Sequence, residues 1–156
     1  MPQLDGSQMR IGGEILDSDW DDPSTSTTQS LLSTFSRLGS AIGRSGLQTS
    51  FKSDRGGTVE IYVQAYINKT SDDGVGSVRI RLVNGINSEI SGTDREVIAF
   101  QSGNERQLIG ISWFMSVTDD TDYIIRPQIR KSTSTQDFDV RWGGNDPALS
   151  IKIIGL

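Results

Sequence analysis

An alternation of period two constrains this chain more than any other feature. From Leu47 onward, apolar side chains recur at every second position, the pattern of strands that bury one face. In Thr58–Asn68 the apolar face is Val59, Ile61, Val63, Ala65 and Ile67, and the other face carries Glu60, Tyr62, Gln64 and Tyr66. Ser77–Asn84, Gln107–Val117, Tyr123–Arg130, Asp137–Trp142 and Leu149–Ile154 repeat the pattern. Shorter strands are predicted near Leu47–Lys52, Ile86–Ile90 and Arg95–Gln101. Asp73-Gly74, Asn84-Gly85 and Ser91-Gly92 separate them, because Gly and Asn tolerate the backbone of tight turns. Eight or nine strands at this spacing predict an all-β antiparallel sandwich or barrel. Pro127 lacks an N–H and is expected at a sheet edge or a bulge.

Upstream of Leu47 the period changes. Leu31, Phe35, Leu38 and Ile42 are spaced by four, three and four, a helical stripe for which Ser30 is a suitable N-cap. Segment 31–46 is therefore read as a connection with one short helix. Gly39 and the Ser and Thr residues within it favour a rival, extended reading. Residues 1–30 hold six acids and one base, which accounts for the whole net charge of −5; the rest of the chain is balanced. This stretch reads as an arm followed by a Ser/Thr linker at Pro23–Thr28. Met9, Ile11, Ile15, Leu16 and Trp20 lie within 12 residues of one another in the arm. They are anchor-type side chains for a groove on a partner, unless the arm folds back on its own body. The expected plan is an anchoring arm and linker at 1–30, a connection at 31–46 and a β domain at 47–156.

Composition excludes several chemistries. Cys and His are absent, which removes disulfides, thiol nucleophiles, Cys/His zinc sites and every imidazole triad. No apolar run approaches the ~18 residues of a membrane helix. A pI near 4.7 argues against nucleic acid, which needs a basic stripe, and against an anionic membrane surface. A neutral body can still carry local basic patches. The first residues lack the basic and apolar regions of a secretory signal. Asp17, Asp19 and Asp21 match the first, third and fifth positions of a calcium loop. Asp22 and Thr28 then stand where Gly and Glu are required. Asp119-Asp120-Thr121-Asp122 reads as a polar hairpin loop before it reads as a calcium site. The five Glu are scattered, and no carboxylate stands among apolar aromatics in the way that raises a pKa for acid catalysis. No catalytic residue, metal site or cofactor is predicted.

The second faces of certain strands are more informative. A solvated face should be polar, yet Tyr62 and Tyr66 lie on that of one strand, Ile124 and Arg126 on another and Ile154 on the last. Tyr, Arg and Ile in such places have the composition of an interface, although single exposed apolar residues are ordinary.

From Thr58 to Leu156 the chain resembles the C1q/TNF-like jelly roll. The cues are Gly57 leading into Val-Glu-Ile-Tyr-Val-Gln-Ala-Tyr, then Val-Arg-Ile-Arg-Leu-Val-Asn-Gly at 78–85. Asp120-Thr121-Asp122-Tyr123 follows a long apolar strand, and the chain finishes on Ile-Ile-Gly-Leu. Thr121-Asp122 stands where that family usually has an acidic–glycine pair. The resemblance implies a jelly-roll sandwich and a compact homotrimer, with the strands of Tyr62, Ile124 and Ile154 in one sheet at the threefold axis. An arm, a Ser/Thr linker and a head without Cys look like a bacteriophage capsid decoration (cement) protein or head fibre, located on the virion's capsid surface and held through residues 1–22. The expected trimer contacts are Tyr62, Tyr66, Ile124, Arg126 and Ile154; the expected capsid contacts are Met9, Ile11, Ile15, Leu16 and Trp20. A receptor- or glycan-binding tail-fibre head is the first alternative and a carbohydrate-active enzyme the second. Neither nucleic acid nor membrane is an expected partner.

Overall fold

A computed structural model describes residues 14–53, 56–71, 74–100 and 105–156. Among these described residues thirteen strands form: β1 (Ile15–Asp21), β2 (Thr27–Ser30), β3 (Ser36–Arg37), β4 (Ser40–Ala41), β5 (Arg44–Ser45), β6 (Thr49–Ser53), β7 (Gly57–Lys69), β8 (Gly76–Val83), β9 (Arg95–Phe100), β10 (Arg106–Val117), β11 (Thr121–Lys131), β12 (Phe138–Trp142) and β13 (Leu149–Gly155). The count exceeds the expected eight or nine because β1 to β5 come from a region that lacks the alternation.

The long sheet runs β1-β13-β7-β12-β2, with β10 along the other edge of β7. β13 pairs with the first half of β7 and β12 with the second. The short sheet runs β3-β11-β8-β9, with β6 beside the first half of β11. Setting aside β2 to β5 and β12, eight strands remain, in the orders β1-β13-β7-β10 and β6-β11-β8-β9. Counted along the chain these are 1-8-3-6 and 2-7-4-5, so the fold is an antiparallel jelly-roll sandwich.

The alternation places the core between the sheets. Val59, Ile61, Val63, Ala65 and Ile67 of β7 are all buried, facing Ile80 and Leu82 of β8 and Ile125 and Ile129 of β11 across the sandwich. Trp113 and Trp142 are buried with their indole N–H groups satisfied. Trp113 donates to Thr93 O at 2.8 Å, and Trp142 to Asp21 Oδ2 at 2.8 Å.

Four expectations are corrected. The division into arm, linker and head does not follow the strands, since residues 15–21 and 27–30 are β1 and β2 of the long sheet. Asp17, Asp19 and Asp21, where no metal site was expected, are alternate residues of β1. The carboxylates of Asp17 and Asp19 accept the backbone N–H groups of Ser50 and Gln48, at 2.7 and 2.9 Å, and close the seam against β6. Segment 31–46 forms no helix. Gly39, Gly43 and Gly46 have φ of +91°, +76° and +98°, which no right-handed helix contains. Leu31 and Leu38 enter the core, whereas Ile42 is fully exposed. Ile86–Ile90 is a loop with a single bridge from Glu89 to Val83. Pro127 lies in β11, at neither an edge nor a bulge. It falls between the end of β6, opposite Ile125, and β3, opposite Gln128. Its carbonyl accepts Leu38 N–H at 2.9 Å, and its missing donor faces the gap between those strands.

Candidate functional site

The outer face of the long sheet gathers the aromatic and aliphatic residues that the core does not use. Pairing registers place Phe114, Glu60, Ile154 and Ile15 abreast across β10, β7, β13 and β1. The next row is Ser112, Tyr62, Lys152 and Ser18, and the row after it is Gly110, Gln64, Ser150 and Trp20. Leu108, Tyr66 and Arg141 follow. Phe114 and Trp20 are 64% and 66% exposed, and Ile15 and Leu108 are about half exposed. Tyr62, Tyr66 and Ile154 are half-buried in the face.

Local sequence explains the lie of Tyr62. A Cβ on Gly110 would come within 2.2 Å of Tyr62 Oη, so the tyrosine ring lies flat across the glycine of the neighbouring strand. Such pairing covers backbone that a glycine leaves bare. Polar groups order the rest of the face. Ser112 Oγ donates to Glu60 at 2.5 Å, and Arg141 pairs with Asp139 at 3.1 Å. Aromatic side chains bury ~150–250 Å² each, so Trp20 and Phe114 at two-thirds exposure offer roughly 200–330 Å². With the other five residues the face reaches the size of patches that mark interaction sites.

The expected interface residues divide between two faces. Tyr62, Tyr66 and Ile154 share the outer face of the long sheet. Ile124 and Arg126 lie on β11, in the short sheet, so the three strands expected at one axis do not share a sheet. Arg126 holds the loop after β8, donating to Gly85 O at 2.9 Å and to Gln48 Oε1 at 2.7 Å. Ile124 lines an apolar groove of about 520 Å³ with Ile86, Ile90, Met115 and Tyr123. Of the expected arm contacts, Met9 and Ile11 lie outside the described residues. Leu16 packs against the core, and Ile15 and Trp20 join the exposed face. Sequence reasoning did not assign Phe114 and Leu108, although their signal was present: they are the two large apolar side chains on the second face of β10.

Trp20 also borders a polar pocket of about 280 Å³ with Asp19, Asp21 and Arg44. Asp21 is paired there with Arg44 as well as Trp142. The Asp119-Asp120 turn joins β10 to β11, with Asp120 bonded to Lys52 at 2.9 Å. Among the described residues no group of three or more acidic side chains is disposed to hold a metal ion. Glu96 has its carboxyl held below the usual range, first by the Ser77 hydroxyl at 2.6 Å and also by Ser132, Arg79 and Arg130.

No family model and no curated protein matches the chain. Solved structures resemble its strand arrangement. Eiger TNF from S. frugiperda is 12% identical, with a TM-score of 0.42 over 93% of this chain and 88% of that one. The CBM22-1 xylan-binding domain of Paenibacillus barcinonensis Xyn10C is 11% identical, with a TM-score of 0.39 over 95% and 99%. A structure of infectious bursal disease virus, Gx strain, gives 10% identity and a TM-score of 0.45 over 99% of this chain and 41% of the viral one.

Proposed function

We propose that this chain is a non-enzymatic, homotrimeric structural protein of a bacteriophage particle, a capsid decoration protein or head fibre. One observation carries the self-association: the outer face of β7 and β10 exposes Phe114 and Leu108 around Tyr62 and Tyr66, with Trp20 and Ile15 of β1 left at its rim. A jelly roll that stayed alone would keep this face polar, because exposed aromatic area favours association by about 25 cal/mol per Å² buried. A threefold assembly is the arrangement that the resemblance to C1q/TNF-like heads implies. The placement on a virion comes from the same resemblance and from the acidic, Cys-free sequence with its apolar anchors before residue 23. Residues 1–22 are the attachment segment, with β1 presenting Trp20 and Ile15 at the rim of the trimer face.

Two variants test the reading. Tyr66→Ser with Leu108→Ser alters an adjacent cross-strand pair on the exposed face. It should shift the protein to monomer at unchanged β-type circular dichroism; an unchanged assembly would refute the trimer face. Removal of residues 1–13 together with Trp20→Ala should abolish cosedimentation with capsids that lack the protein. Equal cosedimentation would move the anchor elsewhere on the head.

The pocket beside Trp20 supports a second reading. The indole of Trp20, 66% exposed at the edge of the pocket, is a surface on which a saccharide ring could stack, as a receptor-binding head requires. Signal on a glycan array that Trp20→Ala removes would favour this alternative.

A further inference from the structure

The outer face of the short sheet carries a second, differently built surface. Arg37 of β3, Gln128 of β11 and Arg81 of β8 lie abreast, with Arg130 and Arg79 one row along and Arg126 one row the other way. Strands are ~4.8 Å apart and rise ~3.4 Å per residue, so the five arginine positions fall within about 10 Å by 14 Å. On the β8 side the charges are balanced: Arg79 pairs with Asp94 at 2.9 Å and Arg81 meets Glu89 at 3.7 Å. Glu96, bonded to Ser77 and Ser132, borders that side.

On the β11 side the hydrogen-bond partners are neutral. Arg37 donates to Ser45 O at 3.4 Å and Arg130 to Lys131 O at 3.2 Å. Arg126 donates to Gln48, Gly85 O and Asn87. The Phe35 ring braces the centre, 4.1 Å from the Arg81 guanidinium and 5.1 Å from that of Arg130. The Arg37 and Arg126 guanidinium groups are oriented and partly desolvated by neutral hydrogen-bond partners, while Arg130 lies within the field of Glu96. Burial, and then repulsion from Arg126, lowers the pKa of Arg37, as expected where positive charge is packed without compensation.

We infer that this face docks a carboxylate-rich protein surface. Oriented guanidinium groups match carboxylates in geometry and charge. The chain's net charge of −5 opposes a uniformly charged polymer such as nucleic acid at long range. An acidic protein patch meets only the local field, which extends about a Debye length. The face lies on the opposite side of the sandwich from Tyr62 and Tyr66, so the inference stands or falls apart from the trimer.

The test is a titration of full-length protein with a fluorescent hexaglutamate peptide at low and high salt, beside a long single-stranded DNA. Saturable binding that weakens with salt is expected, with DNA the weaker ligand. Arg37→Gln with Arg130→Gln should weaken binding about tenfold, as for the loss of two partly exposed pairs. Arg106→Gln, at the start of β10, should leave it unchanged. If the double variant melts early, the single Arg37→Gln carries the comparison, with a smaller loss. Absence of hexaglutamate binding at low salt, indifference to the arginine substitutions, or equal affinity for DNA would each overturn the inference.

Discussion

Asp21 holds two elements at once: its carboxylate accepts the buried Trp142 N–H and pairs with Arg44 of the β4–β5 hairpin. Asp21→Ala would leave a buried donor unsatisfied, at a cost of about 1–3 kcal/mol. Thermal unfolding should show this as a fall of about 2–4 °C per kcal/mol in a chain of this size, with Asp21→Asn losing less because it keeps an acceptor. An unchanged melting temperature would mean that water satisfies Trp142 equally well. Glu96 tests the electrostatics. Its folded pKa is depressed below the ordinary 4.5. Its contribution to stability is therefore complete above the ordinary value and disappears as pH falls through the folded one. Ser77→Ala should flatten the acid limb of the stability–pH curve where pH falls below the ordinary carboxylate value of 4.5. An unaltered limb would exclude the Ser77 bond as a cause.

At the scale of elements, the strands from β6 onward were largely legible because their inward residues are apolar: Val59 to Ile67, Ile109 to Val117 and Leu149 to Ile153 mark their own faces. β1 and β2 were illegible for the opposite reason. Their inward positions include Asp17, Asp19, Asp21 and Gln29, buried or half-buried by hydrogen bonds that no hydrophobic period records. Gln29 alone donates to Arg37 O at 2.9 Å and accepts Gly39 N–H at 2.8 Å. The same gap misled the reading of 31–46, where four apolar residues at helical spacing go to three different environments. Truncation follows from this. Removing residues 1–13 should leave the melting temperature within a few degrees. Removing residues 1–30 strips two strands and the Gln29 bonds, and should abolish cooperative unfolding in urea. A cooperative transition in the shorter protein would show β1 and β2 to be dispensable.

For the whole molecule, the sandwich has two outer faces of different chemistry. One is aromatic and aliphatic, along β10, β7, β13 and β1; the other is rich in arginine, along β3, β11 and β8. Tyr62, Tyr66 and Ile154 could be placed from sequence because strand alternation fixes the face a residue occupies. Which strands share a sheet depends on pairing between distant segments, so the position of Ile124 and Arg126 was not legible. Joining the aromatic faces of three copies is the central claim, and the mass in solution tests it most directly. Light scattering coupled to size exclusion at micromolar concentration should give about 51 kDa, three times the 17.1 kDa of the chain. A single species at 17.1 kDa would contradict the account and leave the aromatic face to another partner.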